Sequence, residues 1–138
     1  MRRAFTLIEL VVVLVILGLI AGLVAPQILG RVSDAKTTTA RTQIEMLSTA
    51  LDNYRLDAGS YPTTAQGLEA LRDRPSRPPV PANWRGPYLR RALPADPWGR
   101  AYLYRSPGEK NTNAFDLYSL GRDGKLGGEK EDADVGMP

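Results

Sequence analysis

The chain has 138 residues, 18 Lys+Arg against 15 Asp+Glu, and neither Cys nor His. That length suits one domain. The missing Cys excludes a disulfide framework, a thiolate metal site and a thiol nucleophile, and the missing His excludes a Ser-His-Asp triad and imidazole-ligated zinc.

The formal net charge of +3 divides unevenly, with +6 over residues 1–115 and −3 over residues 116–138. The basic residues Arg31, Arg41, Arg55, Arg72, Arg85 and Arg105 are scattered and form no periodic stripe. The electrostatic footprint expected of a nucleic-acid partner is therefore missing.

From Leu10 to Leu29 the sequence LVVVLVILGLIAGLVAPQIL runs without a charge. As a helix this run spans about 30 Å, the thickness of a bilayer's hydrocarbon core. Arg2 and Arg3 precede it and Arg31 is the next charge. Flanking arginines keep their own end in the cytoplasm, so the remaining chain is sent across. A cleaved secretory signal has an apolar core of roughly 7–15 residues followed by a small-residue cleavage site. Here the run is longer, and Pro26-Gln27-Ile28-Leu29 leads into helix-forming sequence, which favours retention.

Past Gly30, the residues Ala40, Ile44, Leu47, Leu51 and Tyr54 recur at helical spacing, while Lys36, Arg41, Glu45, Asp52 and Arg55 occupy other faces. The pattern predicts one helix over residues 6–57 with Gly59 as its C-terminal cap. It is apolar all round in its first half and one-faced in its second. Pro26 is its weak point, since an interior proline removes a backbone donor and costs about 3 kcal/mol. Gly18 and Gly22 loosen the same stretch.

After Gly59 a short helix is expected over residues 65–72, with Leu68 and Leu71 inward. A Pro-rich loop covers residues 75–87, and short strands are expected around 101–104 and 115–119. The fold class is α+β, a long N-terminal helix packed on a small antiparallel sheet and loops. Trp84, Trp98, Tyr102 and Tyr104 read as cover for that sheet. Asp96-Pro97-Trp98-Gly99 reads as a turn.

Chemistry concentrates at two places. Glu9 is an ionisable group beside a membrane-length run, which marks function unless it snorkels to the headgroups. The acidic tail carries Asp123, Glu131, Asp132 and Asp134, with flexible backbone at Leu120, Gly121 and Gly128. Such oxygens suit a hard cation, although an acidic loop is also compatible with simple solvation. Lys125 stands where an EF-hand requires Asp or Asn. Ser33, Lys36 and Ser48 form no nucleophile–base pair, and GRDGKLGG has neither Walker nor Rossmann spacing, so the chain reads as a non-enzyme.

The N-terminal string Ala4-Phe5-Thr6-Leu7-Ile8-Glu9-Leu10 resembles the class III signal of type IV pilins and type II secretion pseudopilins. The resemblance continues through LDNYRLDAGSYPTTAQGLEAL (51–71), GPYL (86–89), LPADPWGRAYLY (93–104), FDLYSLGRDGKLGG (115–128) and EDADVG (131–136). Nearly the whole chain resembles the major pseudopilin family, the G subunits of the type II secretion system.

The resemblance implies a type IV pilin-like fold divided into a leader over residues 1–4, a transmembrane and assembly helix over 5–30 and a periplasmic domain over 31–138. It implies a prepilin peptidase cut between Ala4 and Phe5, with Ala4 standing where the family usually has Gly, followed by methylation of the Phe5 amine. Glu9 would pair with the Phe5 amine of a neighbouring subunit, and Pro26 falls at the family's helix-loosening proline. A structural Ca²⁺ would be held by Asp123, Asp132, Asp134 and the Leu120 carbonyl, with Glu131 as a further candidate.

The implied assembly is a homopolymeric filament in the bacterial inner membrane that drives protein export. Its partners are the minor pseudopilins, the inner-membrane assembly platform, the prepilin peptidase and the membrane. Two alternatives stand beside this reading. One is a type IV pilus pilin for adhesion or DNA uptake, which the absence of Cys weakens. The other is a membrane-anchored enzyme using the acidic loop as a catalytic metal site.

Overall fold

A computed structural model of the chain describes residues 4–136. Arg2 and Arg3, expected to set topology, and Met1 of the leader lie outside the described residues, as do Met137 and Pro138. The element order is α1 (Leu7–Ala58), a 3-10 turn (Leu68–Leu71), β1 (Leu103–Arg105), β2 (Asp116–Tyr118) and a second 3-10 turn (Lys130–Asp132). Two compact units divide the chain, Met1–Ala35 and Lys36–Pro138.

The first unit is the apolar part of α1. Its large side chains from Leu7 to Val32 are exposed along their length, and no residue of its membrane-length window is buried. Nothing in the unit covers them. The helical backbone is continuous through Pro26. Among the described residues, nothing beyond the adjacent helical backbone lies within 4 Å of where a side chain on Gly18, Gly22 or Gly30 would begin.

The second unit is built on the one-faced part of α1. Ala40, Ile44, Leu47, Ala50, Leu51 and Tyr54 are its buried residues, adding Ala50 to the stripe expected from spacing. The helix ends at Ala58, where Gly59 at φ +85° donates its N–H to the Arg55 carbonyl at 2.8 Å. A Gly at this position adopts the left-handed conformation at no steric cost.

Leu68, Ala70, Leu71, Leu89, Tyr102, Leu117 and Val135 complete the core against this stripe. The sheet is an antiparallel pair in the register Leu103↔Tyr118, Tyr104↔Leu117 and Arg105↔Asp116. β1 starts two residues later than the strand expected at 101–104, and β2 lies inside the one expected at 115–119. Between residues 65 and 72 the expected helix shortens to one 3-10 turn, because Gly67 at φ +63°, ψ −170° interrupts any α-helix. Leu68 and Leu71 still point inward.

The aromatic residues pack against the core as expected. Tyr102 is buried, and Trp84, Trp98 and Tyr104 are partly buried against the cluster. The Tyr102 hydroxyl donates to Gln43 Oε1 at 2.5 Å and the Tyr104 hydroxyl to the Pro62 carbonyl at 2.7 Å. Burial, then the nearby Asp96 charge, pushes the Tyr102 hydroxyl up to about 12. It is therefore a permanent donor at neutral pH.

Because Leu47 is fully buried and Leu56 is 82% exposed, truncating each to Ala separates core packing from helix propensity. Leu47→Ala is expected to cost about 3 kcal/mol and Leu56→Ala less than about 0.5 kcal/mol. Denaturant titration of the full chain in detergent micelles, followed by near-UV circular dichroism, checks the difference.

Candidate functional site

Two regions carry the residues singled out from the sequence, one in each unit. In the first, Ala4, Phe5 and Thr6 precede the helix, and Phe5 is 85% exposed. Thr6 and Glu9 form a reciprocal cap. The Glu9 N–H donates to Thr6 Oγ1 at 3.3 Å, and Glu9 Oε2 accepts from the Thr6 N–H at 3.2 Å and the Thr6 hydroxyl at 3.1 Å.

This is a capping box, and its carboxylate also offsets the positive end of the helix dipole. Reading Glu9 as a membrane-edge charge overlooks this role, although Thr-x-x-Glu before an apolar run is itself the signature. The cap fixes where α1 begins and holds a carboxylate one turn from Phe5.

In the second region, β2 continues into Ser119, which bridges Val135 by two backbone hydrogen bonds of 2.9 Å. The bridge closes the neck of the loop that carries Leu120, Asp123, Glu131, Asp132 and Asp134. Inside the neck the Arg122 N–H donates to the Glu131 carbonyl at 2.8 Å. Gly121, at φ +65°, passes so close that a Cβ there would lie 2.6 Å from the Ala133 carbonyl oxygen. A Cβ at Gly128 would lie 2.3 Å from the Asp132 carbonyl oxygen. The glycines are therefore what lets the two limbs of the loop come together.

The Asp96 turn backs this loop from below. Asp96 Oδ1 accepts from the N–H groups of Trp98 at 3.1 Å and Arg100 at 2.8 Å, and Oδ2 accepts from the buried Ser119 hydroxyl at 2.5 Å. Arg100 then donates to the carbonyls of Gly121 at 2.6 Å and Arg122 at 2.7 Å. The expected turn at Asp96–Gly99 is present, with the Gly99 N–H on the Asp96 carbonyl at 2.9 Å. Its function as a brace for the acidic loop was not visible in the sequence.

The side chains of Asp123, Glu131, Asp132 and Asp134 are each engaged locally. Asp123 Oδ1 accepts from the Lys125 N–H at 3.0 Å, and Asp134 Oδ2 from the Gly127 N–H at 2.9 Å. Arg122 pairs with both oxygens of Asp132, at 2.8 and 3.0 Å, and with Glu131 at 2.9 Å. Among the described residues no three acidic side chains converge on one point. Asp134 Oδ1 is buried without a hydrogen-bond partner. The donor set, carboxylates and carbonyls without nitrogen or sulfur ligands, fits a hard cation such as Ca²⁺.

A surface groove of about 710 Å³ lies between α1 and residues 88–94 and is lined by Gln43, Met46, Asn53, Tyr88, Arg90 and Arg91 among others. Arg90 and Arg91 are its charged groups, so it holds no acid–base pair.

Comparisons with known proteins follow the same division of the chain. The model of the family "Type II secretion system (T2SS), protein G" matches residues 27–138, and that of the "Prokaryotic N-terminal methylation motif" matches residues 1–25. The chain is 52% identical over 135 residues to the type II secretion system core protein G of Pseudomonas aeruginosa, covering 98% of this chain and 94% of that protein. It is 51% identical over 136 residues to the protein of the same name from Vibrio cholerae, covering 98% and 90%. The crystal structure of the major pseudopilin from the type 2 secretion system of enterohaemorrhagic Escherichia coli matches with a TM-score of 0.65 at 39% identity, over 78% of this chain and 90% of that one.

Asp96 accepts three hydrogen bonds at a buried position, so Asp96→Ala is expected to lower stability by about 3 kcal/mol. Ser119→Ala removes one of the three and is expected to cost about 1.5 kcal/mol. Because the two share a hydrogen bond, the double variant should fall short of their sum, which a double-mutant cycle by urea denaturation measures.

Proposed function

The chain belongs to the protein G family of the type II secretion system, and from that membership we propose that it is the major structural subunit of the pseudopilus, acting by polymerisation rather than catalysis. The observation that carries this reading is the unpartnered apolar surface of α1 from Leu7 to Val32. A surface of that size must be covered, first by lipid and then by like helices. Transfer between these two apolar surroundings carries little hydrophobic cost, so packing and polar contacts decide it. A helix-to-helix contact repeated head to tail does not close on itself and generates a filament. The family comparisons favour this subunit over a type IV pilus pilin.

In this reading the chain is anchored in the inner membrane with the domain of residues 31–138 in the periplasm. The prepilin peptidase cuts between Ala4 and Phe5, and the new Phe5 amine is methylated. Glu9, held by Thr6 in the uncut chain, pairs with the Phe5 amine of the subunit below it as lipid is left behind. Pro26 allows α1 to loosen within the filament. Minor pseudopilins and the assembly platform are the further partners.

Ca²⁺ is the cation that the acidic loop would hold, through the carboxylates of Asp123, Asp132 and Asp134, the Leu120 carbonyl and, as a further candidate, Glu131. The ion would supply positive charge to a self-repelling loop and lock its two limbs. The partnerless Asp134 Oδ1 supports this assignment.

Glu9→Gln retains a capping acceptor at this position while removing the charge. It is expected to insert into the membrane normally and to reduce sheared filament, counted by electron microscopy, at least tenfold. Filaments at wild-type abundance would show that capping alone is the role of Glu9. Calorimetry of the full chain in detergent is expected to show one Ca²⁺ bound and a higher melting temperature than in chelator, with both lost in Asp123→Ala. No calcium heat and no thermal shift would remove the ion from this reading.

A further inference from the structure

Among the described residues, Arg122 is paired with two carboxylates of the C-terminal loop. Its Nε and one terminal nitrogen face the two oxygens of Asp132, and its other terminal nitrogen faces Glu131. A guanidinium used in this forked way satisfies both carboxylates with a single charge. An arginine guanidinium is charged at any pH the protein meets.

We propose that Arg122 is a built-in counter-cation that closes the acidic loop when no divalent ion is bound and competes with that ion for Asp132, thereby setting the loop's cation affinity. The inference rests on the calcium reading above. It adds the residue that tunes the site.

Three observations make the exchange physically simple. First, the Arg122 backbone is pinned, with its N–H on the Glu131 carbonyl at 2.8 Å and its carbonyl on Arg100 at 2.7 Å. Release of Asp132 therefore requires side-chain rotation only. Second, the Arg122 side chain is 59% exposed, whereas Glu131 and Asp132 are 22% and 32% exposed. The guanidinium can swing into water while the carboxylates stay in the loop. Third, a divalent ion and a guanidinium on the same carboxylate lie a few ångströms apart and repel. Occupation by one disfavours the other, which is a coupling of the same sign in both directions.

Arg100 plays a different part. Its side chain donates to backbone carbonyls, those of Gly121 and Arg122, and it approaches Gly124 so closely that a Cβ there would meet its guanidinium at 2.7 Å. It contributes positive charge beside the limb without occupying a carboxylate. One arginine braces the loop and the other takes the cation's place.

The test uses the full chain in detergent with CaCl₂ as the probe, comparing wild type, Arg122→Gln and Arg122→Lys by calorimetry and thermal melting. Arg122→Gln is expected to bind Ca²⁺ about five- to tenfold more tightly than wild type, the usual size of a coupling between two sites. In chelator it is expected to melt below wild type, and saturating Ca²⁺ is expected to close that gap. Arg122→Lys keeps the charge without the fork and is expected to fall between the two in affinity.

Equal or weaker Ca²⁺ binding by Arg122→Gln, with wild type still binding, would overturn the competition and leave the calcium site standing. Absence of Ca²⁺ binding in both proteins would overturn the calcium reading and this inference together. Circular dichroism in chelator shows whether Arg122→Gln is folded; if it is not, the same affinity comparison is read from Arg122→Lys, where binding equal to wild type overturns the proposal.

Discussion

The contact of one helical stripe with a domain that is mostly loop is the constraint on which the rest depends. Two strands of three residues each cannot make a stable sheet by themselves. Ala40, Ile44, Leu47, Ala50, Leu51 and Tyr54 supply the missing half of the core. Leu68, Leu71, Leu89, Tyr102, Leu117 and Val135 reach it from separate segments, so each loop is anchored by a side chain or two. The amphipathic part of α1 is thus a folding template, and removing a buried methylene there costs both its burial and the cavity left behind.

Loops without regular hydrogen bonding must satisfy their backbone by other means. Here buried carboxylates take much of that burden. Asp116 gathers the N–H groups of Glu109, Lys110 and Asn111. Burial pushes its carboxyl up, but those three donors and the Arg105 charge outweigh burial and hold it below the usual carboxylate range. Asp96 does the same for the Trp98–Arg100 turn and extends the network to Ser119. Gln66 ties the Pro-rich segment with two bonds from its amide, to the carbonyls of Arg77 and Pro79. Side-chain clamps of this kind order a chain that has no cysteine to cross-link it.

The apolar part of α1 answers to a different requirement. Among the described residues of its own unit nothing covers it, and its surface is open where Gly18 and Gly22 leave space. Such a surface fits a membrane-anchored member of the pseudopilin family. The Thr6–Glu9 cap closes exposed N–H groups at its start, and it keeps a carboxylate one turn from Phe5.

Much of this was legible in the residues, because the signals concerned are local. A charge-free run of membrane length, apolar positions spaced by three and four, a Gly past the last turn and Pro-rich punctuation all act over a few neighbours. They place α1, its two halves, the loop over 75–87 and both strands. The capping box was equally local and lay unread behind the more conspicuous charge of Glu9. The helix expected over residues 65–72 failed for a local reason too, since the backbone at Gly67 breaks the helical path.

What only the tertiary structure decided was the choice among partners. The sequence shows Asp123, Glu131, Asp132 and Asp134 near one another, but not that Arg122 folds back on two of them while Asp134 keeps one oxygen partnerless. Nor does it show that Asp96 reaches Ser119 or that Tyr102 reaches Gln43 across α1. Periodicity is fixed by backbone geometry and can be read along the chain. Hydrogen-bond and charge pairs between distant residues are fixed by the path the chain takes through space, and that path is settled only when the core has closed on the stripe of α1.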